Sequence, residues 1–178
     1  HTLDLCRWGL GAEFPIRVTS SGGRYRYEDD QETPDTQTVC LEFEGRRQIS
    51  WEGLSCNKHD RKFVTFYGED GALDLEGNGT YTLFDANDKE VGKFGSPSVG
   101  DIEHIVNLLD AIRNDKPLSL NAEIAEGHKS TLLCHLGNIA QRTGRTLRTD
   151  PQNGHVLDDA EAMQFWRREY EQGWEPVV

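Results

Sequence analysis

The chain has 178 residues, 35% of them hydrophobic, and 31 acidic against 19 basic side chains leave a net charge of −12. That length suits a single domain over residues 1–178 with a core of its own. The acidic balance excludes a nucleic-acid backbone or an anionic membrane as main partner, and no apolar run approaches the roughly 20 residues of a membrane span.

The opening stretch "HTLDLCRWGLG" predicts a short helix with Leu3, Leu5 and Trp8 on its apolar side, ended by Gly9 and Gly11. Strand signals follow in "PIRVTS", "TVCLEFE" and "QISWEGL", where apolar and polar residues alternate with period two. Arg24 to Tyr27 alternate in the same way, and Glu28 to Pro34 read as an exposed acidic loop. "KFVTFYG", "ALDLEG" and "TYTLFDAND" continue the strands, punctuated by Asp70-Gly71 and Asn87-Asp88.

The helical part starts at Asp101 as N-cap, with Ile102, Ile105, Leu108, Leu109 and Ile112 at helix spacing and Pro117 at the exit. A longer helix over Ala122 to Thr143 places Leu132, Leu133, Leu136, Ile139 and Ala140 on one stripe, with Gly144 as its stop. A last helix is expected over Asp158 to Tyr170. Strands in one block and helices in another predict an α+β fold: an open-faced, mainly antiparallel β-sheet with helices packed on one face. A Rossmann unit would need alternating strands and helices with GxGxxG between the first pair, and neither is present.

Several residues are candidates for chemistry. Cys6, Cys40, Cys56 and Cys134 form no CxxC and read as small hydrophobes, although their even number leaves disulfides open. His128 and His135 lie two helical turns apart, too far to grip one ion, so no metal site is expected. A metalloprotein using His59, His104, His128 or His155 has no ligand spacing in its favour. His128 lies in the first turns of the long helix, where it serves either a site or local hydrogen bonding. Arg24 and Tyr25 carry the chemistry of a carbohydrate site, and equally that of a wet sheet face. Trp51 has the same two readings, with its place in the alternation pointing to packing. For His1 and Asp4, spacing alone favours a frayed terminus beside a first-turn aspartate.

Taken together, "HTLDLCRWGLG", "SGGRYRYEDDQETPDT", "ISWEGLSCN", "FYGEDGAL" and "EGHKSTLLCHLGNIAQRTGRTLR" resemble the C-terminal domain of the Gfo/Idh/MocA oxidoreductases, in a bacterial branch of dehydrogenases. The resemblance covers essentially the whole chain in the same order. It implies a two-domain parent enzyme whose N-terminal Rossmann domain binds NAD or NADP, and whose substrates are sugars, polyols and related compounds. Many members carry their acid–base histidine in a D-x-x-x-H-x-x-D motif, and His1 and Asp4 match its second half. On this reading the chain starts at the catalytic helix and works as a substrate-binding and oligomerisation domain. It binds no cofactor itself and is inactive without the nucleotide domain.

His1 is then the catalytic residue, and Asp4, Arg24, Tyr25, Trp51 and His128 are substrate-binding candidates. Self-association is expected through the sheet face away from the helices, because Phe63, Val64, Phe66 and Tyr67 occupy both faces of one strand. The alternative reading is a non-catalytic module for assembly or ligand capture. The family leaves the bacterial cytoplasm and the periplasm both open.

Overall fold

The computed structural model describes residues 1–57, 59, 62–96 and 100–175. The chain divides into two compact units, one of His1–Gly11 with Asn57–Thr131 and one of Ala12–Cys56 with the residues from Leu132 on. Among the described residues every strand pairing is antiparallel, and the fold is α+β as expected.

In the first unit, helix α1 (Thr2–Leu10) leads, and strands β4 (Val64–Gly68), β5 (Gly71–Leu75), β6 (Thr80–Asp85) and β7 (Glu90–Gly95) form a four-stranded meander in chain order. The meander follows from its turns: Gly68 pairs with Gly71 across a two-residue connection, and Asp85 accepts backbone hydrogen bonds from Asn87 and Lys89 at the turn between β6 and β7. Register aligns Phe66, Leu73 and Leu83 across three strands, and Val64, Leu75 and Tyr81 in the row beside them. Period two places all six on one face of the sheet. Helix α1 runs through Gly9 and ends at Gly11, whose left-handed backbone (φ 58°) caps the carbonyls of Arg7 and Trp8. Gly9 is therefore not a stop. A Cβ there would lie 2.4 Å from Phe66 Cζ, so the glycine is what lets α1 sit on β4. Trp8, expected on the apolar side, is exposed, and Arg7 is buried in its place.

Helix α2 (Asp101–Arg113) also belongs to this unit, with Gly100 rather than Asp101 as N-cap and Ala111 as its one buried residue. A 3-10 turn at Pro117–Ser119 follows. Helix α3 (Ile124–Thr143) contributes its residues to Thr131 here and the rest to the second unit.

The second unit contains β1 (Arg17–Gly23), β2 (Thr36–Phe43), β3 (Arg47–Leu54), β8 (Leu147–Thr149) and β9 (Val156–Leu157), in the order β3-β2-β1-β8-β9. Val18, Leu41 and Ile49 share one register row and are buried, as are Val39 and Phe43. The predicted stripe of α3 meets this face: Leu132, Leu133, Leu136, Ile139 and Ala140 are all buried. Gly137 comes close enough that an added Cβ would touch the Val39 methyls at 3.1 Å, and Gln37 Nε2 donates to its carbonyl. The opposite face carries Thr19, Cys40 and Ser50 in one row and Arg17, Glu42 and Gln48 in the next. It is mostly polar, with Leu54 opposite Thr36 and Leu157 opposite Arg148 as its apolar members.

Two expected elements differ from what forms. Arg24 to Tyr27 are loop, because the buried Asp35 carboxylate accepts the N–H groups of Tyr25, Arg26 and Tyr27 (3.0–3.2 Å) and takes those donors away from any ladder. These bonds, led by Arg26, outweigh burial and hold the Asp35 carboxyl well below the usual carboxylate range. The last helix shrinks to a 3-10 turn at Ala162–Trp166. Only Ala162 is buried there, and an isolated helix of this length has too little packing to persist.

Candidate active site

A three-residue step along α1 places His1, Asp4 and Arg7 on one side of the helix. On α3, Glu126, Lys129 and Ser130 share a face by the same rule. Within the first unit these two faces meet. Arg7 Nε donates to Ser130 Oγ (2.9 Å), and Arg7 Nη2 donates to Glu126 Oε2 (2.6 Å). Lys129 Nζ donates to the other Glu126 oxygen (2.8 Å), and Ser130 Oγ donates to Asp4 Oδ1 (2.5 Å). Direction in this chain is fixed by chemistry. A guanidinium can only donate, so the Ser130 hydroxyl accepts from Arg7 and must turn its own proton to Asp4.

Arg7 is buried, and a buried cation persists only when paired and hydrogen-bonded. Two cations, Arg7 and Lys129, face two carboxylates, Glu126 and Asp4, so the cluster is neutral as a whole. Hydrogen bonds from Lys129 and then Arg7 hold the Glu126 carboxyl below its ordinary value. Asp4 itself is exposed, as are His1 and His128. The result is a solvent-facing carboxylate clamped from behind, three residues along α1 from one imidazole and bonded to a serine two residues after another. Such a surface can accept hydrogen bonds from ligand hydroxyls and exchange a proton through an imidazole.

The six sequence candidates divide between the two units. His1, Asp4 and His128 lie in the first unit, and Arg24, Tyr25 and Trp51 in the second. Arg24 lines a cleft of about 220 Å³ with Glu32, Asn138, Gln141 and Arg142, and it pairs with Asp29. Tyr25 is exposed, and half-buried Trp51 lies over Gly53. Sequence reading missed Arg7, Glu126 and Ser130. The visible signal was H-x-x-D-x-x-R on α1 and E-x-x-K-S on α3, but no spacing rule says which basic residue goes inside.

All four cysteines are free. Burial pushes the Cys6 thiol up, and burial together with Glu42 does the same for Cys40, so neither is an activated nucleophile. Among the described residues, no three His, Cys, Asp or Glu side chains are grouped to hold a metal ion, and no helix is long and apolar enough to cross a membrane.

No match is found among curated protein sequences. Similar solved structures include a Klebsiella pneumoniae protein assigned to the oxidoreductases (TM-score 0.64, 14% identity, covering 93% of this chain and 51% of that one). An Agrobacterium radiobacter oxidoreductase in complex with NAD+, L-tartaric acid and magnesium is similar at TM-score 0.60 and 16% identity, over 83% of this chain and 46% of that one. The UDP-N-acetylglucosamine 3-dehydrogenase of Acidithiobacillus ferrooxidans follows at TM-score 0.63 and 15% identity, over 79% of this chain and 44% of that one. The chain thus spans about half the length of these structures. Residues 59–176 match the model of the oxidoreductase family's C-terminal alpha/beta domain, and the chain belongs to the Gfo/Idh/MocA oxidoreductase family as that domain.

Proposed function

We propose that the chain is the substrate-side domain of an NAD(P)-dependent oxidoreductase acting on a sugar, a polyol or a related hydroxyl-bearing compound. The observation that carries this reading is the Arg7–Ser130–Asp4 chain of hydrogen bonds, which presents a fixed carboxylate on the helix that also carries His1. A UDP-sugar dehydrogenase among the similar structures supports the substrate class.

The described residues do not fit a nicotinamide dinucleotide. That ligand's pyrophosphate rests on a glycine loop between a strand and the helix of a parallel unit, and every strand here pairs antiparallel. The cofactor, which supplies hydride exchange, belongs on this reading to a nucleotide-binding half of a longer enzyme.

This chain's own residues then bind and move a proton. Asp4 accepts a hydrogen bond from a substrate hydroxyl, and its tether to Ser130 holds that acceptor still. The His1 imidazole takes the proton of the hydroxyl being oxidised, or returns it in the reverse direction. His128 contributes a further donor to the substrate. In the longer enzyme, His1→Ala is expected to lower kcat by about 10²–10⁴-fold with a much smaller change in KM. An unchanged kcat would remove His1 from this role.

A further inference from the structure

Arg24 and Tyr25, which the sequence marks for carbohydrate chemistry, lie in the second unit, whereas the His1–Asp4 cluster belongs to the first. Arg24 opens onto a cleft of about 220 Å³ between the loop after β1 and the C-terminal half of α3, with Glu32, Thr33, Asn138 and Arg142 on its walls. That is below the roughly 300–1,000 Å³ of clefts that take drug-sized ligands, so the space suits one small ring rather than a nucleotide. Both walls are fixed from behind. Gln141 ties α3 to β1, donating to the Gly22 carbonyl (2.8 Å) and accepting from Ser20 Oγ (3.0 Å). Asp35 anchors the loop through the N–H groups of Tyr25, Arg26 and Tyr27. A ligand therefore does not have to order this cleft in order to bind.

The groups on the walls choose the class of ligand. Arg24 pairs with Asp29 and donates to the Thr33 carbonyl (3.3 Å), and Arg142 pairs with Glu32 (3.1 Å). Each cation thus meets a carboxylate of the same loop, which leaves the walls with no charge to select an anion. Asn138 is half-buried, and its carboxamide has no hydrogen-bond partner among the described residues. It brings both donors and an acceptor, and the Glu32 carboxylate, 79% exposed, keeps acceptor capacity beyond Arg142. Guanidinium, carboxylate and carboxamide side by side match hydroxyls that both give and take hydrogen bonds, as neighbouring hydroxyls of a sugar ring do. An aromatic ring stands at the edge. A Cβ on Gly23, which lines the cleft, would lie 2.6 Å from Tyr25 Cε1, so the ring lies over this glycine while Tyr25 stays 73% exposed. Such a ring offers rigid apolar area to the C–H face of a sugar at small entropic cost.

We propose that this cleft is a saccharide subsite of its own, seating one neutral sugar ring, with Arg24, Glu32 and Asn138 hydrogen-bonded to its hydroxyls and Tyr25 against its carbon face. It shares no residue with His1, Asp4 or Ser130, so it binds without taking part in proton transfer and does not depend on the oxidoreductase reading. A small site with few polar contacts gives a dissociation constant of roughly millimolar order.

NMR titration of the isotope-labelled full chain with D-glucose, D-galactose, D-mannose and N-acetylglucosamine, each to roughly 100 mM, tests it. At least one sugar should saturably shift the Asn138 side-chain amide and the Gly23 and Arg24 backbone signals. Asn138→Ala should weaken that binding about tenfold, the loss of one hydrogen-bonding side chain. Tyr25→Ala should weaken it severalfold. Both variants keep the backbone bonds to Asp35 and the Gln141 tether, so the cleft itself stays formed. No saturable shift with any of the four sugars overturns the proposal, as does undiminished affinity in both variants. Shifts confined to signals around His1 and Ser130 also overturn it, and leave sugar binding to the first unit alone. Succinate or inorganic phosphate moving the cleft signals at lower concentration than any sugar would make it an anion site, and overturn the neutral ligand.

Discussion

At the scale of single residues, buried charge is decided by partners rather than by side-chain type. Arg7 goes inside because Ser130 and Glu126 wait for it, while Trp8 beside it stays in water. Glu126 turns this into a pH dependence. Its folded carboxyl is held below the ordinary 4.5 by Lys129 and Arg7. A carboxylate depressed in the folded state adds stability that is present above its unfolded value, and loses it as pH falls through the folded one. Asp35 acts in the same direction. Melting temperature is therefore expected to fall as pH drops below about 4.5, with Glu126→Gln showing a shallower fall because one of the linked protons is gone. Melting curves between pH 3 and 7 check this, and parallel slopes for the two proteins would count against Glu126. His1 and Asp4 were visible in the sequence as candidates, through a resemblance to half of a family motif. Arg7 and Ser130 were not, since their roles depend on the approach of two segments more than a hundred residues apart.

At the scale of elements, the pattern that proved readable is long, periodic and one-sided. The α3 stripe was legible because five apolar residues at helix spacing had a sheet face to cover, and all five are buried. Short elements escaped: β8 and β9 have three and two residues, held by pairing with β1 and with each other rather than by any signal of their own. Gly9 shows how a local rule can mislead. Glycine near a helix end reads as a stop, yet here it is the contact point with Phe66. Gly9→Ala should gain about 1 kcal/mol of helix propensity and lose about 1–3 kcal/mol to the clash with the ring, for a net loss. Chemical denaturation of Gly9→Ala, alone and with Phe66→Leu, checks it. The smaller partner should recover part of the loss, and a stabilised single variant would mean that the ring swings aside freely.

For the whole molecule, sheet topology bears directly on function. Antiparallel meanders supply faces for packing and edges for loops, but not the strand-to-helix turn that cradles a pyrophosphate. The 178-residue chain is therefore expected to show no measurable affinity for NAD+ or NADP+ in titration calorimetry. Micromolar binding of either would contradict the assignment of the cofactor to another part of a longer enzyme. The sheet face of the second unit away from α3 carries mostly polar side chains, whereas the apolar stripe of α2 in the first unit is exposed.

By itself the sequence determined the α+β class and the helix and strand periods. Each depends on residues close in the chain, where backbone geometry sets which side chains share a face. Tertiary structure alone decided which faces found partners. The stripes of α2 and α3 look alike on paper. Only packing shows that α3 covers a sheet while α2 presents its stripe to solvent, and that a serine on one helix locks a carboxylate on another. Burial is a property of the pair of surfaces that meet, and local sequence describes only one of them.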